Sequence, residues 1–249
     1  MKEKTRDQQV LDILKENGHT SVHTLCQTLY LSEATVRRCL SQLERRGLIR
    51  RTHGGAALLE NYTHVSPFRS RIILNSAAKR EIAEKATALV PDGSIVFLDQ
   101  SSTAFYLAER LTEKAALTVV TNNIEIAACL SATNFDVYLS GGQLCRDARM
   151  CLVGADAQET FRQFHADFVF FSTRSLSSDG VLSDCNREEI HVRNAMLGNA
   201  ACRVFLCDSS KFGTQSGHIQ CTLSDVDTLI SEGAAAGQYT HTYPRLKTL

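Results

Sequence analysis

From Ser76 onward the sequence alternates short apolar segments with helix-like segments, and this alternation constrains the fold more than any other feature. The candidate strands are Ile95–Leu98, Leu117–Val120, Val137–Leu139, Phe168–Phe171 and Val204–Leu206. Each is nearly all apolar, as parallel strands covered on both faces should be. Helix-like segments between several of them indicate β-α-β units. Residues 76–249 are therefore predicted to form an open, mainly parallel α/β domain.

Polar clusters directly follow four of these strands. They are DQSST (99–103), TNN (121–123), SGG (140–142) and DSSKFG (208–213). Each alone fits an ordinary capped turn, but ligands of open α/β sheets bind at the carboxyl ends of the strands. Residues 101–103 also precede a helix-like segment, where hydroxyls and backbone N–H groups could hold a phosphate. Lys211 could add a positive charge, and Asp99 could accept hydrogen bonds from sugar hydroxyls.

Residues 1–59 have a different pattern, which predicts three short helices and a β-ribbon. An apolar stripe runs through residues 5–16, Ser21 can cap a second helix, and Ser32 can cap a third. The third helix is predicted to end near Arg46, with Gly47 as its C-cap. The following LIRRTHGGAALL places a Gly-Gly turn between two short extended segments. This order of elements predicts a winged helix-turn-helix, joined by a linker of residues 60–75 to the α/β domain.

The third helix has two chemically different faces. At 100° per residue its apolar side chains share one face, namely Val36, Cys39, Leu40 and Leu43. Small, polar and cationic side chains share the opposite face, namely Ala34, Arg38, Ser41 and Arg45, flanked by Thr35, Arg37 and Gln42. Residues 32–56 hold six arginines against two glutamates in a chain without net charge. Such a face suits the major groove of DNA, and a helical interaction domain with a solvated basic face is the alternative.

The stretch TVRRCLSQLERRGLIRRTHGGA (35–56) resembles the DNA-binding signature of the DeoR-type bacterial regulators, in which a Thr-x-Arg-Arg helix is followed by His-Gly-Gly-Ala in the wing. That family usually has Asp where this chain has Cys39, which falls on the packed face and is interpreted as a packing change. The side chains expected to contact DNA are Ser32, Ala34, Thr35, Arg37, Arg38, Ser41, Arg45, Arg50, Arg51 and His53.

The second part of the chain is similar to the effector-sensing domain of the same regulators, which is related in fold to ribose-5-phosphate isomerase. The resemblance implies a phosphorylated sugar or related metabolite as ligand. Matching positions are Lys79, Asp99, Ser102, Thr103, Thr121, Asn122, Gly141, Gly142, Gly154, Gly180, Asp208 and Lys211. The turns DQSSTA and STRSLSSDG lack glycines that the family usually has there, and the second places Arg174 where it could pair with an anion.

The residues expected to bind the effector are Asp99, Ser101, Ser102, Thr103, Thr121, Asn122, Gly141, Gly142, Arg174 and Lys211. The whole chain is thus predicted to be a transcriptional regulator that represses a carbohydrate catabolic operon, binds double-stranded operator DNA and responds to a small phosphorylated metabolite. Paired operator half-sites further predict a homo-oligomer, either a dimer or a tetramer.

Two other hypotheses remain open on the sequence. A sugar-phosphate isomerase-like enzyme with an N-terminal DNA-binding appendage could use Asp99, Asp208, Glu188 or Glu189 as base and Lys211 as electrophile. Alternatively, the altered turns could belong to a regulator whose sensor no longer binds a sugar phosphate. The DNA-binding face favours a regulator that is not an enzyme and has no catalytic residues.

Composition indicates a cytoplasmic protein without a cofactor. No apolar run approaches the ~18 residues of a membrane span, and the first residues lack the apolar core of a secretory signal. The nine cysteines form no C-x-x-C pair and are interpreted as buried small hydrophobes or free thiols, with no metal expected.

Overall fold

The computed structural model describes residues 6–17, 19–45, 49–52, 54–58, 68–146 and 150–249, with the backbone alone for residues 15, 16, 45, 50, 57 and 58. The chain divides into two compact units, Met1–Ser70 and Arg71–Leu249. Within the described residues, no helix has the length and apolar character needed to cross a membrane.

The first unit is built from short helices and a small sheet. Its elements are α1 (Arg6–Asn17), β1 (His19–Ser21), α2 (Val22–Leu29), α3 (Glu33–Arg45), β2 (Ile49–Thr52) and β3 (Gly55–Leu58). The strands form an antiparallel sheet in the order β1-β3-β2. The predicted winged helix-turn-helix is confirmed, with β1 as an additional strand. The strand β1 has three residues, of which one is buried. So short a segment shows no hydrophobic periodicity from which a strand could be predicted.

Two serines fix the starts of α2 and α3, as predicted. Ser21 Oγ accepts a hydrogen bond from the Thr24 N–H at 3.0 Å, and Ser32 Oγ accepts one from the Thr35 N–H at 3.3 Å. Each bond satisfies a backbone donor that the first helical turn leaves without a partner. The predicted C-cap at Gly47 lies outside the described residues.

The apolar stripes of the three helices meet in one core. Its buried members are Val10, Leu11, Leu14, Val22, Leu25, Val36, Cys39, Leu40, Leu43, Ile49 and Ala56. Cys39 is 6% exposed, so its predicted place on the packed face is confirmed. Burial raises the pKa of the Cys39 thiol, assisted by the nearby Asp7 carboxylate. Cys39 therefore packs as a small apolar side chain.

The segment predicted as a linker contains a helix, α4 (Phe68–Ile73). A proline disfavours helix for the residue before it and not for those that follow. The sequence rule applied at Ser66 and Pro67 therefore did not extend to Phe68.

The second unit alternates strands and helices throughout. Its helices are α5 (Ser76–Thr87), α6 (Ser102–Leu111), α7 (Ile124–Leu130), α8 (Ala155–Arg162) and α9 (Arg187–Gly198), with 3-10 turns at Ser209–Lys211, Leu223–Asp225 and Ala235–Tyr239. Its strands are β4 (Ile95–Leu98), β5 (Thr118–Thr121), β6 (Asp136–Leu139), β7 (Gln143–Leu144), β8 (Leu152–Val153), β9 (Ala166–Phe171), β10 (Ser175–Leu176), β11 (Val181–Asp184), β12 (Ala200–Leu206), β13 (His218–Thr222), β14 (Thr228–Ile230) and β15 (Lys247–Thr248).

Seven strands form one parallel sheet in the order β15-β14-β12-β9-β4-β5-β6. Alternate residues of each strand point to opposite faces. Val96 and Leu98 pack in the cluster that contains α5, α6 and α7, whereas Phe97 packs edge-on against Phe161 of α8 on the other face. The predicted open, parallel α/β domain is confirmed, and its strand ends carry the polar clusters.

Several short strands differ from the prediction. The strand β5 begins at Thr118 rather than Leu117, and β14 and β15 extend the sheet beyond the predicted five strands. A second, antiparallel sheet has the order β10-β11-β13, and β7 pairs with β8 as a hairpin. These strands are two to five residues long and are defined by their pairing partners, which a local apolar pattern does not specify.

Candidate DNA-binding helix and effector site

The outward face of α3 carries the side chains expected to contact DNA. Ala34 and Arg38 are exposed, and Ser41 is half-buried. Arg37 is exposed too, but its guanidinium pairs with Glu33 Oε1 one turn earlier at 2.6 Å. An exposed pair of this kind contributes little to stability and can exchange for a phosphate. Arg38 is thus the arginine best placed to reach a base edge. Arg37 must break its ion pair with the Glu33 carboxylate before it can contact DNA.

Ser32 and Thr35 bind each other before they could bind DNA. The Ser32 and Thr35 hydroxyls lie 2.9 Å apart, in addition to the cap bond from the Thr35 N–H. Both residues lie at the start of α3, where backbone N–H groups favour an anion. Their hydroxyls can still accept or donate one further hydrogen bond.

The wing sheet packs against α3 through Arg51. Its Nη1 donates to Ser41 Oγ at 3.4 Å, and its backbone N–H donates to Glu44 Oε1 at 3.2 Å. Arg51 therefore fixes β2 to the recognition helix, and its expected DNA contact stays a prediction. The side chains of Arg45 and Arg50, and the whole of His53, lie outside the described residues.

Gly55 occupies a position that no other residue fits. A Cβ built on it would lie 2.5 Å from the carbonyl oxygen of Thr20 in the neighbouring strand β1. A glycine is needed wherever two backbones approach this closely. The second glycine of the His-Gly-Gly motif thus permits the three-stranded sheet.

In the second unit, the ends of β4, β9 and β12 meet at Asp99. This carboxylate is fully buried and accepts hydrogen bonds from the Ser101 N–H (3.0 Å), from the Ser172 N–H (3.1 Å) and from Arg193 Nε (3.1 Å). Asp99 therefore organises the loops after β4 and β9. Its expected bond to a sugar hydroxyl stays a prediction.

A group of cations lies beside this junction. Lys211 Nζ donates to Ser172 Oγ at 2.7 Å and lies 3.6 Å from Asp208 Oδ2. Lys79 is 4% exposed, and its Nζ donates to the carbonyls of Leu74 (2.6 Å) and Arg71. Burial, and then the nearby Lys211 ammonium, lower the pKa of Lys79 to about 7. The Asp208 carboxylate already offsets part of this positive charge, and the two ammonium groups together favour a further anion.

Several buried polar atoms on the strand-end loops and on the helices α6 and α9 have no hydrogen-bond partner among the described residues. They are Gln100 Oε1, Thr103 Oγ1, Asn122 Oδ1 and Glu189 Oε1. Buried polar atoms are nearly always satisfied by protein or by an ordered molecule. These atoms are therefore candidates for contact with water or a ligand.

The loops after β4 and β5 are joined and capped. Ser101 Oγ caps α6 by accepting from the Ala104 N–H at 3.0 Å, while Ser102 and Thr103 lie buried in its first turn. Asn123 caps α7 and donates through Nδ2 to the Gln100 carbonyl at 3.2 Å. Thr121 Oγ1 accepts from the Asn123 N–H, and Asn122 Nδ2 donates to the Leu152 carbonyl.

Gly141 and Gly142 lie apart from the cation group. They follow the edge strand β6, four positions from β12 and hence about 19 Å away at 4.7–4.9 Å per strand. The Gly141 N–H donates to Thr160 Oγ1 at 3.2 Å. Gly142 has a φ of +106°, and a Cβ on it would lie 2.4 Å from the Val153 carbonyl oxygen. Both glycines have structural roles, and their effector contact stays a prediction.

Arg174 is half-buried on the loop after β9. Burial raises the pKa of the Cys185 thiol, and the Arg174 guanidinium partly offsets this effect, which places the arginine close to Cys185. Its expected contact with the effector stays a prediction.

Two family models match this chain over nearly all of its length. Residues 6–62 match the DeoR-like helix-turn-helix domain, and residues 74–233 match the DeoR C terminal sensor domain. The chain belongs to the DeoR family.

Characterised DeoR-family relatives match almost end to end. The chain is 30% identical to the glycerol-3-phosphate regulon repressor of Escherichia coli (strain K12), over 93% of this chain and 92% of that protein. It is 31% identical to the HTH-type transcriptional repressor GlcR of Bacillus subtilis (strain 168), over 90% of this chain and 86% of that protein. This DeoR-family chain is a DNA-binding transcriptional regulator, and the isomerase-like alternative is not favoured.

Solved structures are similar to parts of this chain. Ribose 5-phosphate isomerase A from Methanocaldococcus jannaschii is similar over 55% of each chain, with 17% identity and a TM-score of 0.42. The eIF2B delta protein from Chaetomium thermophilum is similar over 64% of this chain and 57% of that chain, with 17% identity and a TM-score of 0.47.

The residues expected to bind the effector do not include several that hold the strand-end loops together. Gln100, Asn123 and Ser172 were noted only as parts of polar segments, Lys79 was noted only as a matching position, and Arg193 was missed. Arg193 and Glu189 are four residues apart on α9 and are both buried, at 1% and 2% exposure. The signal available in the sequence was the segment EEIHVRNAM, in which charged residues fall in register with apolar residues that are buried.

Proposed function

We propose that this regulator represses a carbohydrate catabolic operon and that a phosphorylated sugar or related metabolite releases it from DNA. The observation that carries the effector assignment is the position of Lys211, whose Nζ donates to Ser172 Oγ at 2.7 Å, with the Lys79 ammonium nearby. The Ser172 N–H and the Ser101 N–H both donate to Asp99, which links this loop to the start of α6. Two ammonium groups and a helix N-terminus together favour a phosphate. The names of its relatives include a glycerol-3-phosphate regulon repressor, which supports a phosphorylated ligand of similar size.

The operator binds α3 in this proposal. Arg38 and Ala34 on the exposed face approach the base edges, and the backbone N–H groups near Ser32 approach a phosphate. A homo-oligomer, either a dimer or a tetramer, presents paired copies of α3 to paired half-sites in the cytoplasm.

The isomerase-like alternative needs a carboxylate free to accept a proton. The Asp99 carboxylate already accepts hydrogen bonds from Arg193 and from two backbone N–H groups. Burial alone would raise the pKa of Asp208, but the Lys211 ammonium and the bonds from Ser210 and Asn75 hold it below its usual value. Asp99 and Asp208 are therefore poor bases. Glu189 is only 2% exposed and accepts a hydrogen bond from Gln100 Nε2 at 2.8 Å, so it is buried away from a substrate beside Lys211. We therefore propose binding without turnover.

The test uses an operator selected from random duplexes by the full-length protein. We expect Arg38→Ala to weaken binding by about 1–3 kcal/mol if the side chain reads a base, with a matched relaxation of sequence preference. The control is Arg162→Ala, which removes an exposed arginine paired with Glu159 in the other unit. Equal affinity of Arg38→Ala and the wild type would remove α3 from this role.

The effector is tested by thermal shift and by release from the same operator. Glycerol 3-phosphate and other phosphorylated sugars are compared with their unphosphorylated counterparts, because a ligand of the folded state raises the melting temperature. We expect Lys211→Met to abolish the shift while operator binding persists. Binding of no phosphorylated compound would favour a sensor with another ligand, and turnover of any of them would favour the enzyme.

A further inference from the structure

Among the residues that the structure describes, one group of thiols and acids lies close enough together to bind a metal ion, and it lies outside the cation group. The Sγ atoms of Cys145 and Cys151 and a carboxylate oxygen of Glu189 all lie within 4.8 Å of one another. The three side chains are 1%, 2% and 2% exposed. Sequence patterns missed the group because it joins a C-x5-C hairpin to a distant helix.

The backbone holds the two cysteines in place. The Cys145 N–H donates to the Cys151 carbonyl at 2.9 Å at the loop end of the β7–β8 hairpin, and Cys151 also bridges to Asn123. Glu189 lies in the first turn of α9, whose N-cap Asn186 accepts from the Glu189 N–H at 3.3 Å. The three ligands therefore come from the β7–β8 hairpin and α9.

The distances suit a tetrahedral ion. Zinc binds thiolate sulfur at about 2.3 Å and carboxylate oxygen at about 2.0–2.2 Å, so two ligands of one ion lie about 3.5–3.8 Å apart. The 4.8 Å limit exceeds this spacing by about 1.0–1.3 Å, a difference that small side-chain movements, shared between two ligand atoms, can close. Thiolates with one carboxylate select zinc over magnesium or calcium, which prefer oxygen alone.

The surroundings resemble the outer shell of a metal site. Asn186 Nδ2 donates to Cys145 Sγ at 3.2 Å, and Gln100 Nε2 donates to Glu189 Oε2 at 2.8 Å. Glu189 Oε1 has no hydrogen-bond partner among the described residues. Hydrogen bonds of this kind orient metal ligands and are worth as much as a tenfold to hundredfold change in affinity.

A cation also resolves the electrostatics of the group. Glu189 and both cysteines are buried, and a buried acidic group is stable as an anion only beside a positive charge. Metal ligands bind in their deprotonated forms, so an ion supplies that charge.

We propose that Cys145, Cys151 and Glu189 bind one zinc ion, with a fourth position for water. The ion ties the β7–β8 hairpin to α9 and, through Gln100, to the loop that starts α6. This site is independent of the identity of the effector.

The test titrates zinc into reduced, chelator-treated full-length protein against a chromophoric chelator. We expect one ion per chain. Cys145→Ser and Cys151→Ser should each lower zinc affinity at least about 100-fold, and Glu189→Gln at least about 10-fold. Cys129→Ser is the matched control, since Cys129 is a half-buried thiol on α7 outside the group. Circular dichroism and operator binding check that each variant is folded.

Cobalt(II) gives a second measurement on the wild type alone, which keeps the proposal testable if a variant does not fold. Thiolate-to-cobalt charge-transfer absorption together with the visible bands of tetrahedral cobalt is the expected result. The proposal is overturned if the reduced wild type binds no zinc, if both serine variants bind as the wild type does, or if the cobalt spectrum shows no thiolate ligand.

Discussion

At the scale of single residues, the sensor unit is organised by charged groups placed where charges are usually absent. Lys79 of α5, Asp99 after β4, and Glu189 and Arg193 of α9 are all buried. A buried charge is stable only with a partner or with its charge removed. Asp99 and Arg193 have each other, whereas Lys79 has backbone carbonyls, with the opposing charges of Lys211 and Asp208 nearby. This difference makes Lys79 the group most responsive to an anion.

Lys79 gives a pH prediction whose sign follows from its lowered pKa. An unfolded lysine keeps its proton up to its ordinary pKa of 10.5, whereas folded Lys79 loses it near 7. Below pH 7 both states are protonated and the full cost of burying the charge is present. Between pH 7 and 10.5 the unfolded state binds more protons, so this group increases the free energy of unfolding by up to about 1.4 kcal/mol per pH unit.

Urea unfolding of the wild type and Lys79→Met at pH 6.5 and pH 8 measures this effect. The wild type should gain stability relative to the variant as the pH rises, because methionine has no proton to lose. The comparison of the two proteins cancels the other titrating groups. Parallel pH dependence of the two would show that Lys79 keeps an ordinary pKa.

At the scale of elements, polar residues that follow strands serve first as helix caps. Ser101 caps α6, Asn123 caps α7 and Asn186 caps α9. Capping and ligand binding use the same geometry, because both place acceptors or anions at the first backbone N–H groups of a helix. The residues free for a ligand are therefore the buried neighbours of the caps.

The wing sheet provides the element-scale prediction. Gly55→Ala places a Cβ against the Thr20 carbonyl and should lower the stability of the first unit by about 1–3 kcal/mol, the usual cost of overpacking. Operator affinity should fall with it, as Arg51 of β2 contacts α3. Gly217→Ala is the control, because its added Cβ meets nothing within 4 Å. Fluorescence anisotropy with labelled operator and thermal unfolding measure both effects, and an unaltered wing would leave both values unchanged.

At the scale of the whole molecule, the two units have separate cores and the second is held together by one arginine. Arg193 bonds to Asp99 of the parallel sheet, to Gln220 of β13 (2.7 Å) and to Asp184 of β11 (3.3 Å). A guanidinium can bond three acceptors in one plane, which a lysine cannot. The parallel and antiparallel sheets therefore depend on the same side chain.

Arg193→Met should lower the free energy of unfolding of the second unit by about 3–5 kcal/mol, since it leaves two buried carboxylates without their cation. Arg193→Lys should recover only part of this loss. The exposed pair of Arg162 and Glu159 supplies the control, and Arg162→Met should change stability by less than about 1 kcal/mol. Urea denaturation, monitored by circular dichroism, measures the free energy of unfolding of each variant. If Arg193→Met lowers the free energy of unfolding by no more than Arg162→Met does, the two sheets do not need the arginine.

The sequence predicted the elements with a strong local pattern. The apolar strands β4, β9 and β12, the caps at Ser21 and Ser32 and the packed face of α3 all follow from the properties of neighbouring residues. The predicted strand β5 was off by one residue, and β1, β10, β11, β13, β14 and β15 were missed. Their two to five residues are stabilised by partners elsewhere in the chain, and a short window contains no such information.

The sequence by itself thus determined the two-part fold, the recognition helix and the edge of the sheet where polar residues collect. Only the tertiary structure decided which of those residues meet. It joined Lys211 to Ser172 and Asp99 to Arg193, separated Gly142 from both, and brought Cys145 and Cys151 to Glu189. The physical reason is that capping and apolar periodicity act within a few residues, whereas hydrogen bonds and ion pairs between buried groups depend on strand order, which is a property of the whole chain.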